Sequence, residues 1–308
     1  MTTDPSLTSI LTAWTFDPSV VAGVALAAVI YREGLVALRA RGKLGQLVKP
    51  KHVASFVFGL ITILLALESP VDALSNQLFS LHMFQHVLLL MIAPPLLLLG
   101  KPVPVLLVGL PHGLVRGVTR AQHRSRLFHG LVRFFTAPVV TWTLFSGLTT
   151  IWHAPALYQA ALLYPGVHLA EHFCFLISGL LFWWVALEPL PGGPRLGYAW
   201  RMLYTSSAML PGMALGLVFV LSDSPVYPLY AQLPRLWGIT EIDDQSAAGL
   251  VMWLIGDTIL LAAAAWCFVK MMDGYEKRAR ARDADLEIEL QQALRTVQSM
   301  STGGTSTR

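Results

Sequence analysis

Hydrophobic residues in this chain are gathered into long runs, which short polar or charged segments separate. Seven of these runs are about as long as the ~20 residues that a helix needs to cross the hydrocarbon core of a bilayer. They cover about 18–38, 52–68, 79–100, 135–152, 167–187, 198–221 and 246–270. The pattern therefore predicts an all-α integral membrane protein, a polytopic bundle of about seven transmembrane helices.

Prolines and the start of the chain refine this prediction. The third run carries Pro94-Pro95 near its end, and the sixth contains Pro211-Gly212, which we expect to kink the span. No basic residue precedes the first run, and Asp4 and Asp17 are acidic. The start therefore differs from a cleaved signal peptide, and we expect the first span to be retained.

Composition agrees with a membrane protein. Of the 308 residues, 55% are hydrophobic and only 13% are charged, whereas soluble domains carry roughly 25% charged residues. The net charge of +4 follows from the loops described next, so it gives no support for binding nucleic acid. The lipid bilayer is the partner that the composition predicts.

Basic residues are concentrated in alternate loops, which predicts the orientation of the bundle. They lie between spans one and two (Arg39, Arg41, Lys43, Lys49, Lys51), between spans three and four (Lys101, Arg116, Arg120, Arg124, Arg126, Arg133) and after span seven (Lys270, Lys277, Arg278, Arg280, Arg282). The other loops carry Glu68, Asp72, Asp223, Glu241, Asp243 and Asp244, with Arg235 as their only basic residue. The positive-inside rule then places the N-terminus outside and the C-terminus in the cytoplasm.

We divide the chain into three parts. Residues 1–274 form the transmembrane bundle, which includes a basic interfacial segment over 112–134 on the cytoplasmic surface. His112, His123 and His129 belong to that segment and are interpreted as bystanders. Residues 275–300 mix charges with Leu and Ile at helical spacing and predict a cytoplasmic amphipathic helix. The tail 301–308 is expected to be disordered.

Two histidine couples are the strongest functional signal. His82 and His86 open span three, and His168 and His172 open span five. A spacing of four residues puts both imidazoles of a couple on one helix face, where their nitrogens can converge on one ion. The predicted orientation places both couples in the outer leaflet, with His153 at a similar depth. We expect spans three and five to be neighbours, with the two couples facing each other.

Other side chains could complete a metal site. Glu171 could balance the charge of an ion or fix a histidine tautomer, and three methionines are possible accessory ligands: Met83, Met213 and Met252. Imidazole with thioether suits Cu(I) better than Mg²⁺ or Ca²⁺, and zinc is less favoured. Cys174 and Cys267 lie in different spans without a Cys-x-x-Cys motif, so we interpret them as small buried hydrophobic residues.

Several ordered motifs resemble one family. The chain carries H-M-F-Q-H, A-P-P-L-L-L-L-G-K-P, W-H-A-P-A-L-Y, H-L-A-E-H-F-C-F-L-I-S-G-L-L-F-W-W and D-Q-S-A-A-G-L-V-M-W. These resemble the CtaG family of bacterial cytochrome c oxidase assembly factors, densely from Ser80 to Trp184 and again over Asp244–Trp253.

The resemblance implies a multi-pass protein of the bacterial plasma membrane that is needed to make active caa-type oxidase, with a role in copper handling. The motifs carry this implication to His82, His86, His153, His168 and His172. The expected partners are oxidase subunits and other copper chaperones. One copper centre of such an oxidase lies in its outward-facing domain and another deep in the membrane, so a carrier in the outer leaflet could approach either. A metallochaperone rather than an enzyme is expected.

Three other functions stay open at this stage. H-L-A-E-H matches the His-x-x-Glu-His pattern of inverted zinc peptidases, in which the glutamate activates water, so a membrane zinc hydrolase is one alternative. Histidines on neighbouring spans can also ligate haem in an electron-transfer protein. A metal-free assembly scaffold is the third alternative.

Asp257 is the one acidic residue near the middle of a predicted span. It follows Met252 by about a turn and a half of helix, whereas the histidines gather near the outer surface. We therefore expect it to face the bundle interior without ligating the metal. It should accept hydrogen bonds from Thr258, Ser206 or Ser207.

Overall fold

The computed structural model describes residues 6–111, 113–114, 116–117, 125–187 and 196–303, and side chains in the last helix as far as residue 295. Regular structure in these ranges is helical. Seven long helices correspond to the predicted spans: α1 (Pro18–Ala40), α2 (Pro50–Leu67), α3 (Phe79–Leu99), α4 (Pro138–Trp152), α5 (Pro165–Leu187), α6 (Tyr198–Leu221) and α7, which runs through Glu241–Leu250, Val251–Ile255 and Gly256–Gly303. Shorter helices cover Leu7–Leu11, Leu44–Leu47, Pro70–Ser75, Pro102–Gly109, Arg126–Phe135, Pro155–Leu163 and Pro228–Ala231.

Six helices in the described ranges are long and apolar enough to cross a membrane, and a bent pair makes a possible seventh. The pair is Arg126–Phe135 with α4, which meet at 57°. Pro138 lacks an amide hydrogen and pushes Ala137 into an extended conformation (φ −67°, ψ 131°), which ends the first helix. Helix α4 therefore begins at Pro138, three residues after the start predicted for the span over about 135–152, and the helix before it belongs to the predicted interfacial segment. The remaining helices indicate a multi-pass membrane protein.

Helix α3 lies at the centre of the bundle, where it packs against α2, α5 and α7. Pro94 has no amide hydrogen to donate to the carbonyl of Leu90, and the helix widens into a π-helical turn over Leu88–Ile92 just before it. The indole Nε1 of Trp183 on α5 donates to that carbonyl at 3.2 Å. The proline thus frees a backbone acceptor that ties α5 to α3.

The predicted kink in the sixth span is confirmed. Helix α6 is interrupted at Ala208, between Tyr198–Ser207 and Met209–Leu221. The ring of a proline clashes with the carbonyl four residues earlier, which for Pro211 belongs to Ser207. The interruption therefore falls one turn before the proline.

Several close approaches between helices depend on glycine, and two of them join the helices around the bundle centre. A Cβ on Gly179 of α5 would lie 2.9 Å from the Leu90 carbonyl oxygen on α3. Gly216 of α6 and Gly249 of α7 face each other, and a Cβ on either would lie within 2.8 Å of the other's carbonyl oxygen. Small residues at these positions allow the backbones to touch, as is common between transmembrane helices.

The segments outside the bundle agree in part with the sequence. Arg126–Phe135 is a helix in the predicted basic segment, and His129 on it is exposed. His112 and His123 fall outside the described residues. Helix α7 continues through the predicted amphipathic region to Gly303, so Ser301–Gly303 of the tail are helical, and residues 304–308 lie outside the described ranges.

Replacing Gly179 by leucine should separate α3 from α5. The larger side chain would overlap the Leu90 carbonyl and the Pro94 ring, and overpacking of this kind costs about 1–3 kcal/mol. Thermal unfolding of the purified protein in detergent measures this loss. The matched control is Gly147→Leu on α4, since a Cβ there meets nothing within 4 Å. Equal melting temperatures for the two variants would contradict the close approach.

Candidate metal centre

The two histidine couples meet at one end of the bundle, where α3 and α5 begin and α4 ends. Within the couples, the ring centroids of His82 and His86 are 4.4 Å apart, and those of His168 and His172 are 4.1 Å apart. Across the helices, His82 lies 5.0 Å from His168 and His86 lies 5.8 Å from His172. The prediction that spans three and five are neighbours with facing couples is confirmed.

Glu171 lies inside this group of histidines. One carboxylate oxygen is 3.7 Å from Nε2 of His82, and the other is 3.7 Å from Nε2 of His86. The side chain is fully buried, and a carboxylate oxygen also lies within 4.8 Å of a ring nitrogen of His168, which belongs to the other couple. We call His82, His86, His168, Glu171 and His172 the histidine cage.

The cage concentrates buried polar atoms that have no hydrogen-bond partner. Ten such side-chain atoms occur in the described ranges, and seven of them belong to cage residues. They are Nε2 of His82, His168 and His172, both ring nitrogens of His86, and both oxygens of Glu171. Buried polar groups are normally paired because an unpaired one costs roughly 1–3 kcal/mol. An arrangement of this kind suits a bound cation.

The spacing of the donor atoms fits an ion of ordinary size. Nitrogens of His82, His86 and His172 lie within 4.8 Å of one another, as do donor atoms of His82, His168 and Glu171. Metal–nitrogen bonds of about 2 Å bring two ligands on opposite sides of an ion to about 4 Å. Small side-chain adjustments would therefore let either trio bind one ion.

A tyrosine on the short helix Pro228–Ala231 orients His82. The Tyr230 hydroxyl donates to the Ser75 carbonyl at 3.2 Å and lies 3.3 Å from Nδ1 of His82. Burial raises the pKa of Tyr230 and of its neighbour Tyr158, so both phenols stay neutral. With its proton on the Ser75 carbonyl, the Tyr230 oxygen accepts from Nδ1 of His82. This tautomer leaves Nε2 of His82 unprotonated and free to ligate.

His153 lies beside the cage and has a different partner. Its ring centroid is 6.0 Å from that of His86. Nδ1 donates to the Thr149 carbonyl at 2.6 Å, and Nε2 lies 3.2 Å from the sulfur of Met83. The Tyr227 hydroxyl donates to the carbonyl of His153 at 2.8 Å and fixes the backbone there. The structure therefore places His153 next to the four other histidines, with its free nitrogen towards a thioether.

Of the three methionines predicted as accessory ligands, two lie near the site and one does not. Met83 is completely buried, and Met252 lines a small cavity with His86 and His153. Met213, by contrast, is 37% exposed on the outer face of α6. It follows Gly212 by one position and so points about 100° away from the inner face on which Gly212 meets Asp257. The structure does not bring Met213 to the site.

Asp257 is buried in the bundle, as predicted, but its expected hydrogen bonds were wrong. The Thr258 hydroxyl donates to the Leu254 carbonyl, and the Ser207 hydroxyl donates to the Tyr204 carbonyl while it accepts from Trp142. No hydrogen bond joins Asp257 to either of them or to Ser206 in the described structure. In helices these hydroxyls reach a nearby backbone carbonyl more easily than a distant side chain. Asp257 instead lines the cavity that holds Met252.

Residues that position the cage were missed in the sequence. Both oxygens of Asp244 accept hydrogen bonds from the first amides of α3, at 2.6 Å from Phe79 and 3.0 Å from Ser80. Gln245 accepts from the Val226 amide at 2.7 Å. In the sequence, their motif D-Q-S-A-A-G contributes only to the family resemblance. A polar pair before an apolar span indicates a role for both residues, but their hydrogen-bond partners lie in other segments of the chain and cannot be predicted from the local pattern.

Gln85, the polar residue between the two α3 histidines, also positions the cage. Its side-chain amide donates to the Ala66 carbonyl and to a carboxylate oxygen of Asp72, both at 2.8 Å. The bonds hold the opposite face of α3 against α2 and the helix Pro70–Ser75. The couple His82/His86 therefore has a fixed rotation about the helix axis.

Comparisons with known proteins give one family and several relatives. A family model described as cytochrome c oxidase caa3 assembly factor matches residues 29–273. The chain is also similar to uncharacterized proteins of Mycobacterium bovis and Mycobacterium tuberculosis, each 27% identical over 260 residues, and of Mycobacterium leprae, 26% identical over 259 residues. Each match covers 81% of this chain and 38% of the relative, so the chain spans well under half the length of these relatives. No solved structure matches the chain.

Replacing Tyr230 by phenylalanine should destabilise the site. The variant removes the hydroxyl that lies near Nδ1 of His82, the Tyr158 hydroxyl and the Ser75 carbonyl. Leaving buried groups unpaired costs about 1–3 kcal/mol, which denaturant unfolding of the purified protein would measure. Tyr164→Phe is the control, because Tyr164 is 61% exposed. An unchanged stability in both variants would contradict the role given to Tyr230.

Proposed function

Since the chain belongs to the caa3 assembly-factor family of cytochrome c oxidase, we propose that it binds copper in the histidine cage and delivers it to the oxidase. The observation that carries this proposal is the convergence of seven unpartnered nitrogen and oxygen atoms in the cage. The cargo is proposed to be Cu(I), and the partners are oxidase subunits and the chaperones that supply copper.

The donor set supports reversible binding. Four imidazoles and one carboxylate are intermediate ligands that suit copper and zinc rather than Mg²⁺ or Ca²⁺. Neither cysteine belongs to the cage, so the ion would be held without a thiolate. A carrier has to release its metal, and moderate affinity helps release. Glu171 would offset the positive charge of an ion buried among neutral rings.

The alternatives have less support. Haem needs a flat open space between its axial histidines, but the ring centroids of the facing histidines are only 5.0 and 5.8 Å apart. A zinc hydrolase needs access for its substrate and a water beside Glu171, but Glu171 and His82 are both fully buried. Copper transfer requires only that a single ion reach the cage. A metal-free scaffold is an outcome of the experiment below.

The alternation of basic and acidic loops supports a topology with the N-terminus outside and the C-terminus in the cytoplasm. The cage would then lie in the outer leaflet of the bacterial plasma membrane, because α3 and α5 begin there. This position would bring the cargo near the outward-facing side of the oxidase.

Removing a cage ligand should weaken copper binding before it affects folding. His86→Ala and His172→Ala should each lower copper affinity by about 10-fold or more, measured by competition with a Cu(I) chelator on purified protein. In cells, insertion should be normal, oxidase activity should fall, and added copper should restore part of it. His129→Ala is the control, since His129 is exposed on Arg126–Phe135.

Two results would contradict copper delivery. Normal oxidase activity in a strain carrying both substitutions would show that the cage is not needed. Loss of the oxidase subunits from a strain whose variant binds copper normally would favour the metal-free scaffold.

The proposed topology predicts which loops are accessible from outside the cell. After replacement of Cys174 and Cys267 by alanine, single cysteines are placed at Lys43 and Asp223, which are both exposed. A membrane-impermeant maleimide should label Asp223→Cys in intact cells and Lys43→Cys only after permeabilisation. The reverse pattern would place the cage in the inner leaflet.

A further inference from the structure

A small cavity adjoins the histidine cage, and three methionines are among the residues that line it. It has a volume of about 30 Å³, which exceeds the ~10–15 Å³ that a cavity needs to hold one water molecule. We call it the sulfur cavity, and its chemically active lining consists of Met83, His86, Met91, His153, Met252 and Asp257. His86 lines the cavity and also belongs to the cage, so the two are adjacent.

Two electron-pair donors face each other in the sulfur cavity. The proton on Nδ1 of His153 is held by the Thr149 carbonyl at 2.6 Å, so Nε2 of the neutral ring carries a lone pair. This nitrogen lies 3.2 Å from the sulfur of Met83, which has no hydrogen to donate. A charged imidazolium would place a hydrogen between the two facing lone pairs, but burying an unpaired charge is costly. A soft cation bound by both atoms removes it directly.

Ordinary packing accounts less well for these residues. Methionine is common filling material in helix bundles, but filling does not require a sulfur beside the free nitrogen of a buried histidine. The hydroxyl of Ser146, which also lines the cavity, is buried without a hydrogen-bond partner. Both ring nitrogens of His86 are unpartnered as well. The cavity wall therefore carries donor atoms that neighbouring side chains do not satisfy.

The ligand atoms that line the sulfur cavity lie at successive levels along α3 and α7, at increasing distance from the cage. Met91 follows Met83 by eight residues on α3, a rise of about 12 Å, and Asp257 follows Met252 by five residues on α7. Asp257 is the only acidic residue among those that line the cavity. The cage likewise contains one acidic residue, Glu171. Each group of neutral donors is thus matched with one carboxylate that can offset the charge of one monovalent ion.

We propose that the sulfur cavity is a second Cu(I) site, in which Nε2 of His153 and the sulfur of Met83 bind the ion directly. Met252 and Met91 supply further thioethers, and Asp257 supplies the counter-charge. Imidazole and thioether together select Cu(I) over divalent ions. This inference rests on the proposed copper function, because the sulfur cavity would bind the same Cu(I) ion beside the cage.

The test uses the full-length protein in lipid nanodiscs, loaded anaerobically with Cu(I) and freed of excess metal. Copper per chain is measured by elemental analysis, and the ligand atoms are identified by X-ray absorption at the copper edge. We expect more than one ion per chain and copper–sulfur scattering near ~2.3 Å. Protein labelled with selenomethionine should show copper–selenium scattering, which tests the site without any substitution.

Substitutions then locate the sulfur. Met83→Leu keeps the side-chain volume, so it should fold, lose the second ion and lose the sulfur scattering while the cage ion stays. Met213→Leu is the matched control, because Met213 is exposed on α6, and it should change nothing. Asp257→Asn should lower the affinity of the sulfur cavity for Cu(I) by about 10-fold, because the substitution removes only the negative charge.

The outcomes separate this inference from the proposed function. Bound copper with only nitrogen and oxygen ligands in the wild type would overturn the second site and leave the cage intact. Sulfur scattering that survives Met83→Leu would also overturn it. A single copper ion per chain that shows sulfur scattering, lost in Met83→Leu but unchanged in the His86→Ala and His172→Ala variants, would overturn the cage as a copper site and leave the sulfur cavity.

Discussion

The position of α3, the helix that carries His82 and His86, depends on one carboxylate far away in sequence. Asp244 on α7 accepts the first two amide hydrogens of α3, at 2.6 and 3.0 Å, and its negative charge interacts favourably with the positive end of the helix dipole. These bonds fix the level of α3 along the bundle axis relative to α7. The level in turn decides which residues of α5 lie opposite His82 and His86. Without this anchor, a shift of α3 by one turn, about 5.4 Å, would bring His82 to the level that His86 now occupies and leave His168 unmatched.

Much of the site could be predicted because it obeys local rules. A spacing of four residues in a helix places two histidines on one face whatever surrounds them, and apolar runs of about 20 residues predict spans. The facing of the two couples also followed from their common depth. The family could be inferred for a similar reason, because its motifs are short continuous segments that are readable without a fold.

The remainder depends on contacts between distant segments or on backbone chemistry that overrides the apolar pattern. Tyr230 meets His82 across 148 positions of sequence, and nothing in the local pattern distinguishes it from other loop tyrosines. Pro138 makes α4 begin three residues later than the hydropathy pattern predicts. Met213 differs from Met83 only in the direction that its helix face points, which depends on how α6 packs after its interruption at Ala208. Periodicity gives a relative angle between residues of one helix, but not the angle of that helix to its neighbours.

Met83 stands between His82 and His86 in sequence, yet its sulfur faces His153 rather than Glu171. The chemical character of the ligands thus changes from intermediate to soft across the width of a single helix. Cu(II) prefers nitrogen and oxygen in a tetragonal arrangement, whereas Cu(I) accepts thioethers readily. In the proposed function, copper that moved from the histidine cage to the sulfur cavity would therefore be selected by its oxidation state. Ligands on both sides of α3 would bind Cu(I), whereas Cu(II) would be bound on the cage side only.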